Sequence, residues 1–356
     1  MRSEGVFTPS ARFGGFSPSP RRWTLCSRCR EFIRWAAVLL LACSVQAHAQ
    51  HRFEYSEVAM GVRARIVLYA KDEASAKAAA RAAYERIARL EDIMSDYRPT
   101  SELSRLSAKA GGPAVEVSRE LAFILGKCQE LSRRSDGAFD CTVGPIVKLW
   151  RKARKSGQLP PKDELAAARK LVGWRKLHIG SDNETALALS RPAKQAVSKG
   201  VRLDTPGMQL DLGGIAKGYA CDEAIRVLRE NGVSSALVEM GGDIVVSNAP
   251  PGKKGWQIDV ANAADPKHRT ITLSNSAVSS SGDTEQYVEI DGKRYSHIVD
   301  PHTGLGLTDR IAVTVIAPNG VTSDGLSTAI SVLGATRGKT LANTYPGVSV
   351  YIRTPH

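Results

Sequence analysis

The sequence predicts an α+β fold, with mixed or antiparallel sheets and packed helices in a single large domain. Segments with the apolar periodicity of helices alternate along the chain with β-rich runs. Two of these runs flank Asp291-Gly292, a dipeptide preferred in two-residue hairpin turns, so the sheet cannot be all parallel. No linker long enough to separate domains follows Gln50, and 42% hydrophobic with 24% charged residues is ordinary globular composition.

The first half of the domain is predicted to be mainly helical. The run RARIVLYA, residues 63–70, predicts the opening strand. Residues 73–94 predict a long helix, because one helical stripe carries Ala80, Ala83, Tyr84, Ile87, Leu90 and Met94. Residues 95–107 predict a loop, since Pro99 stops regular structure. Residues 118–134 predict a second amphipathic helix, and a third begins within residues 141–153.

The second half alternates more closely between helix and strand. A helix over residues 162–171 is followed by strands over residues 176–179 and 186–189. Residues 208–233 predict a strand, a glycine turn and a helix that ends at Asn231-Gly232. The helix over residues 323–334 has Ser323 as its expected N-cap and Gly334 as its end. The other β segments are predicted over residues 234–248, 255–262, 286–299, 310–317 and 347–353.

The first 49 residues have the pattern of a secretory signal peptide. Basic residues 1–34 precede the apolar run WAAVLLLACSV, which is followed by QAHAQ. The run is shorter than the roughly 20 apolar residues that span a bilayer. Cleavage after Ala49 would release a periplasmic protein that starts at Gln50. Alternatively, LLAC resembles a lipobox, and lipid attached to Cys43 would anchor an inner-membrane lipoprotein. A buried core helix is the structural alternative.

The net charge of +13 is shared between the leader and the domain. Seven arginines and two glutamates among the first 49 residues account for +5, which leaves +8. An anionic membrane surface or a phosphorylated substrate suits such a protein. No nucleic-acid partner is expected, because an exported protein rarely meets one and the chain lacks interleaved aromatic and basic residues. The densest basic run, WRKARK at residues 150–155, is interpreted as a solvated helix face.

Three of the six cysteines follow the leader, namely Cys128, Cys141 and Cys221. An odd number excludes a complete disulfide framework. Cys221 lies in a predicted helix and is interpreted as a packed thiol rather than a nucleophile.

The stretch LDLGGIAKGYACD, residues 210–222, places a carboxylate, two adjacent glycines and a lysine between a strand and a helix. Glycines there let the backbone approach a ligand, and helix N–H groups with Lys217 can hold a phosphate. The pattern is neither the dinucleotide fingerprint nor a Walker loop. The alternative is a core strand that simply feeds a helix.

Two further segments carry candidate chemistry. Asp324 and Thr328 are four residues apart on a predicted helix, so they share a face and offer the hard oxygens that Mg²⁺ prefers. The alternative for Asp324 is an acid favoured by the helix dipole. In YSHIVDPHTG, residues 295–304, His297 could move a proton near neutral pH. The alternative there is a turn stabilised by Asp300, with a structural histidine.

The order of these motifs resembles the ApbE family of FAD:protein FMN transferases over nearly the whole chain after the leader. After Met60-Gly61 the matching motifs are MSDYRPTSELSRLS, DGAFDCTVGPIVKLW, LDLGGIAKGYACD, GGDI, YSHIVDPHTG and SDGLSTAISVLG. The resemblance implies a T-fold-like transferase domain over residues 50–356. It implies a Mg²⁺-dependent enzyme that splits FAD, attaches FMN through a phosphoester to a threonine or serine, and releases AMP. Acceptors in related systems are Nqr-type and Rnf-type subunits and other respiratory flavoproteins.

The resemblance also implies a role for each matched residue. It implies FAD contacts by Met60, Tyr97, Ala138, Phe139, Asp140, Asp211, Lys217 and Val299. It implies a metal site formed by the carbonyl of Gly214 with Asp324 and Thr328. Lys217 would stabilise developing negative charge. His297 would accept the proton of the acceptor hydroxyl, with Asp300 or a carboxylate beside the metal as rivals.

Two positions depart from the family pattern, and two rival functions stay open. Cys141 stands where proline is frequent, and His302 stands where arginine or lysine is common. Neither matches a family ligand, and both bear on substrate preference. The rivals are a Mg²⁺-dependent FAD pyrophosphatase, which releases FMN and AMP, and an exported FAD-binding protein without turnover.

Overall fold

The computed structural model describes residues 50–180, 199–260, 270–282 and 287–354, which form one large sheet and three small ones. In chain order the strands are β1 His51–Ala59, β2 Val62–Ala70, β3 Val115–Val117, β4 Leu177–Ile179, β5 Lys199–Leu203, β6 Ala236–Met240, β7 Asp243–Val246, β8 Trp256–Asp259, β9 Thr270–Leu273, β10 Ser276–Gly282, β11 Tyr287–Ile290, β12 Lys293–Ser296, β13 Ala312–Ala317 and β14 Ser349–Arg353. The large sheet has the order β1-β2-β6-β7-β10-β13-β14, and its neighbouring strands are all antiparallel. The small sheets, β3-β5-β4, β8-β9 and β11-β12, are antiparallel as well.

Helices pack against these sheets. The described α-helices are α1 Glu73–Met94, α2 Glu102–Ala108, α3 Arg119–Arg134, α4 Gly144–Ser156, α5 Lys162–Leu171, α6 Ala216–Glu230 and α7 Gly320–Ala342. The predicted α+β fold, a single large domain with antiparallel sheets and packed helices, is confirmed. In the described ranges, no helix has the length and hydrophobicity needed to cross a membrane.

The main core lies between one face of the large sheet and the helices. In β2, the side chains of Ile66 and Leu68 are buried against this core, whereas Val67 packs on the opposite face with Trp256 of β8. Side chains of a strand alternate between the two faces, so one strand supplies both layers. The salt bridges of Arg86 to Glu120 and Glu223 tie α1 to α3 and α6 at the edge of this core.

A second apolar cluster joins α4, α5 and the β11-β12 hairpin. Its buried members are Ile146, Trp150, Ala153, Ala168, Ile290, Tyr295 and Val299. Trp150 is fully buried, and its indole N–H donates to the carbonyl oxygen of Gly304 at 2.8 Å. This cluster therefore fixes one face of α4 relative to the turn that follows β12.

Several predicted elements have the expected bounds. Helices α1 and α5 span the predicted residues, and the Ser118 hydroxyl caps α3 by accepting from the backbone N–H of Leu121 at 3.2 Å. Asp291 and Gly292 turn the β11-β12 hairpin with φ of 50° and 72°, as the preferred turn requires. All three cysteines after the leader are buried and free, and burial raises the pKa of Cys221 well above its ordinary value. The packed-thiol interpretation of Cys221 is therefore consistent with the structure.

Other elements differ from the prediction. Residues 102–107, predicted as part of a loop, belong to α2, because the Ser101 hydroxyl caps this helix by accepting from the backbone N–H of Ser104 at 3.0 Å. Strands β1, β3, β5, β9 and β10 were not predicted. The strand predicted before the glycine turn is reduced to one parallel bridge between Val143 and Gln209. The predicted strand at residues 186–189 and the leader lie outside the described residues.

The prediction of Ser323 as an N-cap is wrong. The side chain of Asn319 caps α7 by accepting from the backbone N–H of Thr322 at 3.0 Å, so the helix begins earlier. Ser323 lies inside α7, and its hydroxyl lies 2.7 Å from that of Ser279 on β10. Gly334 interrupts the helical backbone with a φ of 75°, yet the chain continues as helix to Ala342.

Candidate functional site

Helices α6 and α7 approach each other at two glycines. A Cβ atom on Gly218 would overlap the carbonyl oxygen of Gly320 and lie 2.7 Å from the Cβ of Asp324. Only residues without a side chain permit this approach. On the same side, the carboxylate of Asp222 accepts the backbone N–H groups of Gly320 and Val321 at 2.6 and 2.9 Å. The helix contact thus holds the first turn of α7 against α6.

The crossing brings Lys217 of α6 between two buried carboxylates. Its Nζ lies 2.9 Å from an oxygen of Asp243 on β7 and 3.7 Å from an oxygen of Asp324 on α7. That oxygen of Asp324 also accepts the backbone N–H of Gly218 at 3.0 Å. Although burial opposes the charged form of Lys217, the two carboxylates raise its pKa, so the side chain is a permanent ammonium.

Two carboxylates, when both are ionised, carry one more charge than Lys217 neutralises. Burial, followed by the neighbouring charge of Asp243, raises the pKa of Asp324 to about 7, against the opposing effect of Lys217. When Asp324 is ionised, two buried carboxylates with one ammonium leave a net negative charge beside the start of α6. A bound cation would offset it.

Thr328 and Gly214 complete an oxygen-rich corner next to Asp324. The hydroxyl oxygen of Thr328 lies 3.4 Å from the carbonyl oxygen of Gly214, and a Cβ on Gly214 would come within 2.9 Å of that hydroxyl. A carboxylate, a hydroxyl and a carbonyl fit Mg²⁺, which binds hard oxygens and keeps part of its shell for water or phosphate. Within the described ranges no group of three or more His, Cys, Asp or Glu side chains could hold a metal ion. The predicted set instead uses one carboxylate with two neutral oxygens.

Asp211 lies next to this corner and is paired with Arg151. One oxygen of Asp211 accepts the backbone N–H of Gly213 at 2.8 Å, and the other lies 2.9 Å from the guanidinium of Arg151. Arg151 also forms a salt bridge with Asp96 and stacks 4.0 Å from the ring centre of Tyr97. Burial, followed by the charge of Asp96, raises the pKa of Asp211. Arg151 therefore holds two predicted FAD-binding residues together.

The interpretation of WRKARK as a solvated face is wrong in part. Trp150 is fully buried, and the side chain of Arg151 is only 20% exposed, whereas Lys152 and Lys155 are exposed. One side of this part of α4, with Trp150 and Arg151, therefore packs against the protein, and the other side, with Lys152 and Lys155, faces solvent.

Residues Ala138, Phe139 and Asp140 form a buried support beside Asp211. The carbonyl of Cys141 accepts the backbone N–H of Asp211 at 2.8 Å. The carboxylate of Asp140 accepts the backbone N–H groups of Thr142 and Trp174, each at 2.8 Å. Because the side chains of Ala138 and Phe139 are buried as well, this segment offers a ligand mainly its backbone.

The turn at residues 300–304 uses the carboxylate of Asp300 internally. That carboxylate accepts from the backbone N–H of His302 at 2.9 Å and from the hydroxyl of Thr303 at 3.0 Å. The Nε2 of His302 lies 3.1 Å from the carbonyl of Asp136, which links the turn to the Asp140 segment. The alternative interpretation of a turn stabilised by Asp300 is thus observed. A cavity of ≈ 550 Å³ between them is lined by Asp140, Trp174 and His302, among others.

The contacts connect four of the predicted residues in one series: Asp324, Lys217, Asp211 and Tyr97. The links between them run through Gly213 and Arg151. Val299 is buried and bridges to Gly306 beside the turn, and partly buried His297 directly follows β12. Met60 occupies the β1-β2 turn with a φ of 50°, apart from this series. A second cavity of ≈ 660 Å³, lined by Tyr219 and Asp222 among others, contains none of the predicted site residues.

The prediction missed Asp243 and Arg151. Asp243 belongs to the quoted motif GGDI, and that motif was the signal that could have identified it. Nothing in WRKARK alone distinguishes Arg151 from its exposed neighbours.

A lysine and hard oxygen ligands gathered at a glycine-lined helix start are typical of proteins that bind a phosphorylated ligand together with a divalent cation. Sequence comparison names the group more closely. The sequence model of the ApbE family matches residues 60–352, so this chain belongs to the ApbE family.

Individual relatives agree with this assignment. The chain is 31% identical over 317 residues to the FAD:protein FMN transferase of Treponema pallidum, covering 85% of each protein. It is 33% identical over 275 residues to that of Haemophilus influenzae, covering 74% of this chain and 76% of the relative.

Solved structures give the same result. The apo flavinyl transferase ApbE of Pseudomonas stutzeri superimposes with a TM-score of 0.72 at 28% identity, covering 88% of this chain and 94% of that one. The flavin transferase ApbE of Vibrio cholerae gives 0.71 at 29% identity, covering 85% and 93%.

Proposed function

We propose that this protein is a Mg²⁺-dependent FAD:protein FMN transferase, which cleaves FAD and attaches FMN to a threonine or serine of an acceptor protein, with release of AMP. The observation that supports it most directly is the meeting of Asp324, Thr328 and Gly214 beside the ammonium of Lys217. The reaction of the named relatives, in a family to which this chain belongs, is what such a site would serve.

The residues divide the work of phosphoryl transfer between them. Asp324, Thr328 and the Gly214 carbonyl would hold the ion, which when bound supplies charge neutralisation on the diphosphate. Lys217, kept as an ammonium by its two carboxylates, stabilises negative charge that develops on the phosphate oxygens. Tyr97 offers a flat ring that is 74% exposed, held from behind by Arg151, on which a flavin or adenine ring can stack.

We assign the proton transfer to His297. The acceptor hydroxyl must lose a proton as its oxygen attacks the phosphorus, and a histidine near neutral pH suits this role. The rival Asp300 is less suited, because both of its oxygens already accept hydrogen bonds within their own turn. Asp243 also has a competing role, since it pairs with Lys217.

The proposal also covers where the protein works and which protein accepts the FMN. The pattern of residues 1–49 supports export to the periplasm, with either cleavage after Ala49 or a lipid anchor at Cys43. The acceptor is a respiratory flavoprotein, of the Nqr or Rnf type or another, which presents a threonine or serine outside the cytoplasm.

Transfer can be separated from hydrolysis by one experiment. The protein is incubated with FAD and Mg²⁺, with and without a candidate acceptor subunit, and the denatured products are separated on a gel. In-gel flavin fluorescence on the acceptor, lost with EDTA and with Asp324→Ala, is the expected result. Release of FMN and AMP alone, with no labelled acceptor from any candidate subunit, would establish the pyrophosphatase instead. FAD binding without AMP release would establish a binding protein.

A further inference from the structure

Arg154 shares a helix face with Arg151. The two arginines are three residues apart on α4, so their side chains leave the same side of the helix. Both are partly buried, whereas the lysines between and after them, Lys152 and Lys155, are exposed. Arg154 therefore lies on the side of α4 that faces Tyr97 and Asp211.

The two arginines differ in what they bind. The guanidinium of Arg151 is shared between Asp96 and Asp211. Arg154 forms no hydrogen bond or ion pair through its side chain within residues 50–180, 199–260, 270–282 and 287–354. Its five N–H donors are thus left without a described protein acceptor.

The surroundings of Arg154 are unfavourable for an unpaired cation. Burial lowers its pKa, and the charge of Arg151 acts in the same direction, against the opposing effects of Tyr97 and Asp211. The guanidinium of Arg154 is only partly withdrawn from water, but an unpaired cation there still costs free energy, which an anionic ligand would offset.

The position of Arg154 indicates which anion this would be. Asp211, its neighbour, binds the backbone N–H of Gly213, and the carbonyl of Gly213 lies 3.4 Å from the Nζ of Lys217. Arg154 therefore lies near Asp211, and Asp211 is linked through Gly213 to the turn that precedes Lys217. A diphosphate has two charged groups, and a planar guanidinium matches the paired oxygens of a phosphate.

We propose that Arg154 binds the diphosphate of FAD, as a second cationic contact besides Lys217. This inference rests on the proposed function, because it takes the site to be the FAD site. Neither the family pattern of matched residues nor the solvated interpretation of WRKARK assigns Arg154 such a role.

Binding of flavins that differ in phosphate content tests the proposal. Dissociation constants for FAD and riboflavin are measured by flavin fluorescence, with EDTA present to prevent turnover, for the wild-type protein, Arg154→Gln and Arg154→Lys. Lys152→Gln is the matched control, because it removes the same charge from the exposed face of the same helix. Arg154→Gln is expected to weaken FAD about tenfold to a hundredfold and riboflavin less than about twofold. Arg154→Lys should lie between, and Lys152→Gln should match the wild type.

Three other results would each refute a different part of the proposal. If Arg154→Gln weakens riboflavin as much as FAD, the residue shapes the pocket and does not bind phosphate. If FAD binds as in the wild type while KM for the acceptor rises, the anion belongs to the acceptor and the diphosphate assignment is wrong. If the wild-type protein itself binds no FAD, the proposed function fails first. Melting temperatures of the variants control for folding, and loss of a residue without described partners should leave them unchanged.

Discussion

The hydroxyl oxygen of Thr328 lies 3.4 Å from the carbonyl oxygen of Gly214, although 114 positions separate the two residues in the chain. The contact exists because Gly218 and Gly320 let α6 and α7 touch, which places Thr328, in the third turn of α7, against Gly214 just before α6. The relationship makes Thr328 the most direct test of the proposed cation site.

Replacing Thr328 by valine should weaken Mg²⁺ binding and leave the fold intact. Valine keeps the shape of threonine but removes the oxygen, so the apparent affinity for Mg²⁺ in flavin transfer should fall about tenfold to a hundredfold. Thr328→Ser keeps the hydroxyl and should stay within about threefold of the wild type. Mg²⁺ titrations of AMP release compare the three proteins, and equal Mg²⁺ dependence of the valine variant would remove Thr328 from the site.

Gly218→Ala should be strongly destabilising. The added methyl would overlap the backbone of Gly320, so α6 and α7 must separate, at a cost of about 3 kcal/mol or more. Gly126→Ala is the control, because Gly126 lies in α3 with no atom within 4 Å of its added Cβ. The control should stabilise the protein by about 0.5 to 1 kcal/mol. Urea unfolding measures both, and similar unfolding free energies for the two variants would contradict the described helix contact.

Arg151→Met should cost stability as well as flavin binding. It leaves the carboxylates of Asp96 and Asp211, whose side chains are 14% and 9% exposed, without their cation. We expect a loss of about 2 to 4 kcal/mol in unfolding free energy, together with weaker FAD binding as Tyr97 loses its support. Arg81→Met removes an exposed pair with Glu85 and should change the unfolding free energy by less than about 0.5 kcal/mol. A small, equal effect of both substitutions would show that the Arg151 pairs contribute little.

Asp222 should make the protein less stable as the pH rises through about 4 to 6. A salt-bridged carboxylate, whose pKa is lowered, would have the opposite effect. Burial raises its pKa from 3.8 to about 6, against the opposing backbone N–H groups of Gly320 and Val321, and Glu223 adds to the rise. Between about pH 4 and 6 the folded protein keeps a proton at Asp222 that the unfolded chain loses. This contribution is therefore present below pH 4 and lost above pH 6.

Comparison with Asp222→Asn isolates that contribution. The unfolding free energy of the wild type minus that of the variant should fall by about 2 to 3 kcal/mol as the pH rises from 4 to 7. Urea unfolding at four pH values checks this. A constant difference would mean that Asp222 titrates near its ordinary pKa.

His297→Gln should abolish transfer while FAD still binds. Glutamine keeps hydrogen-bonding capacity but cannot take up the proton, so kcat should fall about a hundredfold or more with a nearly unchanged Kd for FAD. His302→Gln is the control, because His302 lies in the neighbouring turn and binds Asp136 and Asp300. Its pH–rate profile should keep the shape of the wild type, whereas the residual rate of His297→Gln should lose the inflection near neutral pH. Retention of that inflection would remove His297 as the base.

The sequence predicted best those elements that local chemistry decides. Helix α1 has a full apolar stripe and an Asp72 cap, and the β11-β12 hairpin has its Asp-Gly turn, so neither depends on distant residues. Strand β10 is different, because its run SAVSSSG has no β-rich pattern. Two of its serines, Ser279 and Ser281, instead bind partners far along the chain, Ser323 and Ser327 of α7. Such pairs are visible only once the sheet and the helix are packed together.

The residues of the candidate site likewise fall into those that local patterns predicted and those that depend on distant segments. Lys217, Asp324 and Thr328 were predicted from residue types and spacing, together with the resemblance, and the structure places them together with Gly214. Arg151 was not, because its role depends on Asp96 and Asp211 approaching from two other segments. Asp300 was predicted as a rival base, but the turn that it stabilises already uses its carboxylate.

The contact between α6 and α7 makes ligand binding depend on the docking of the last helix. The oxygen-rich corner formed by Asp324, Thr328 and Gly214 assembles only when α6 and α7 have docked. A partly folded intermediate that lacks α7 therefore has no such corner. By mass action, ligands that bind there favour the fully assembled state and disfavour every form in which the last helix has detached. Protease resistance of the C-terminal segment should therefore rise when FAD and Mg²⁺ are added together.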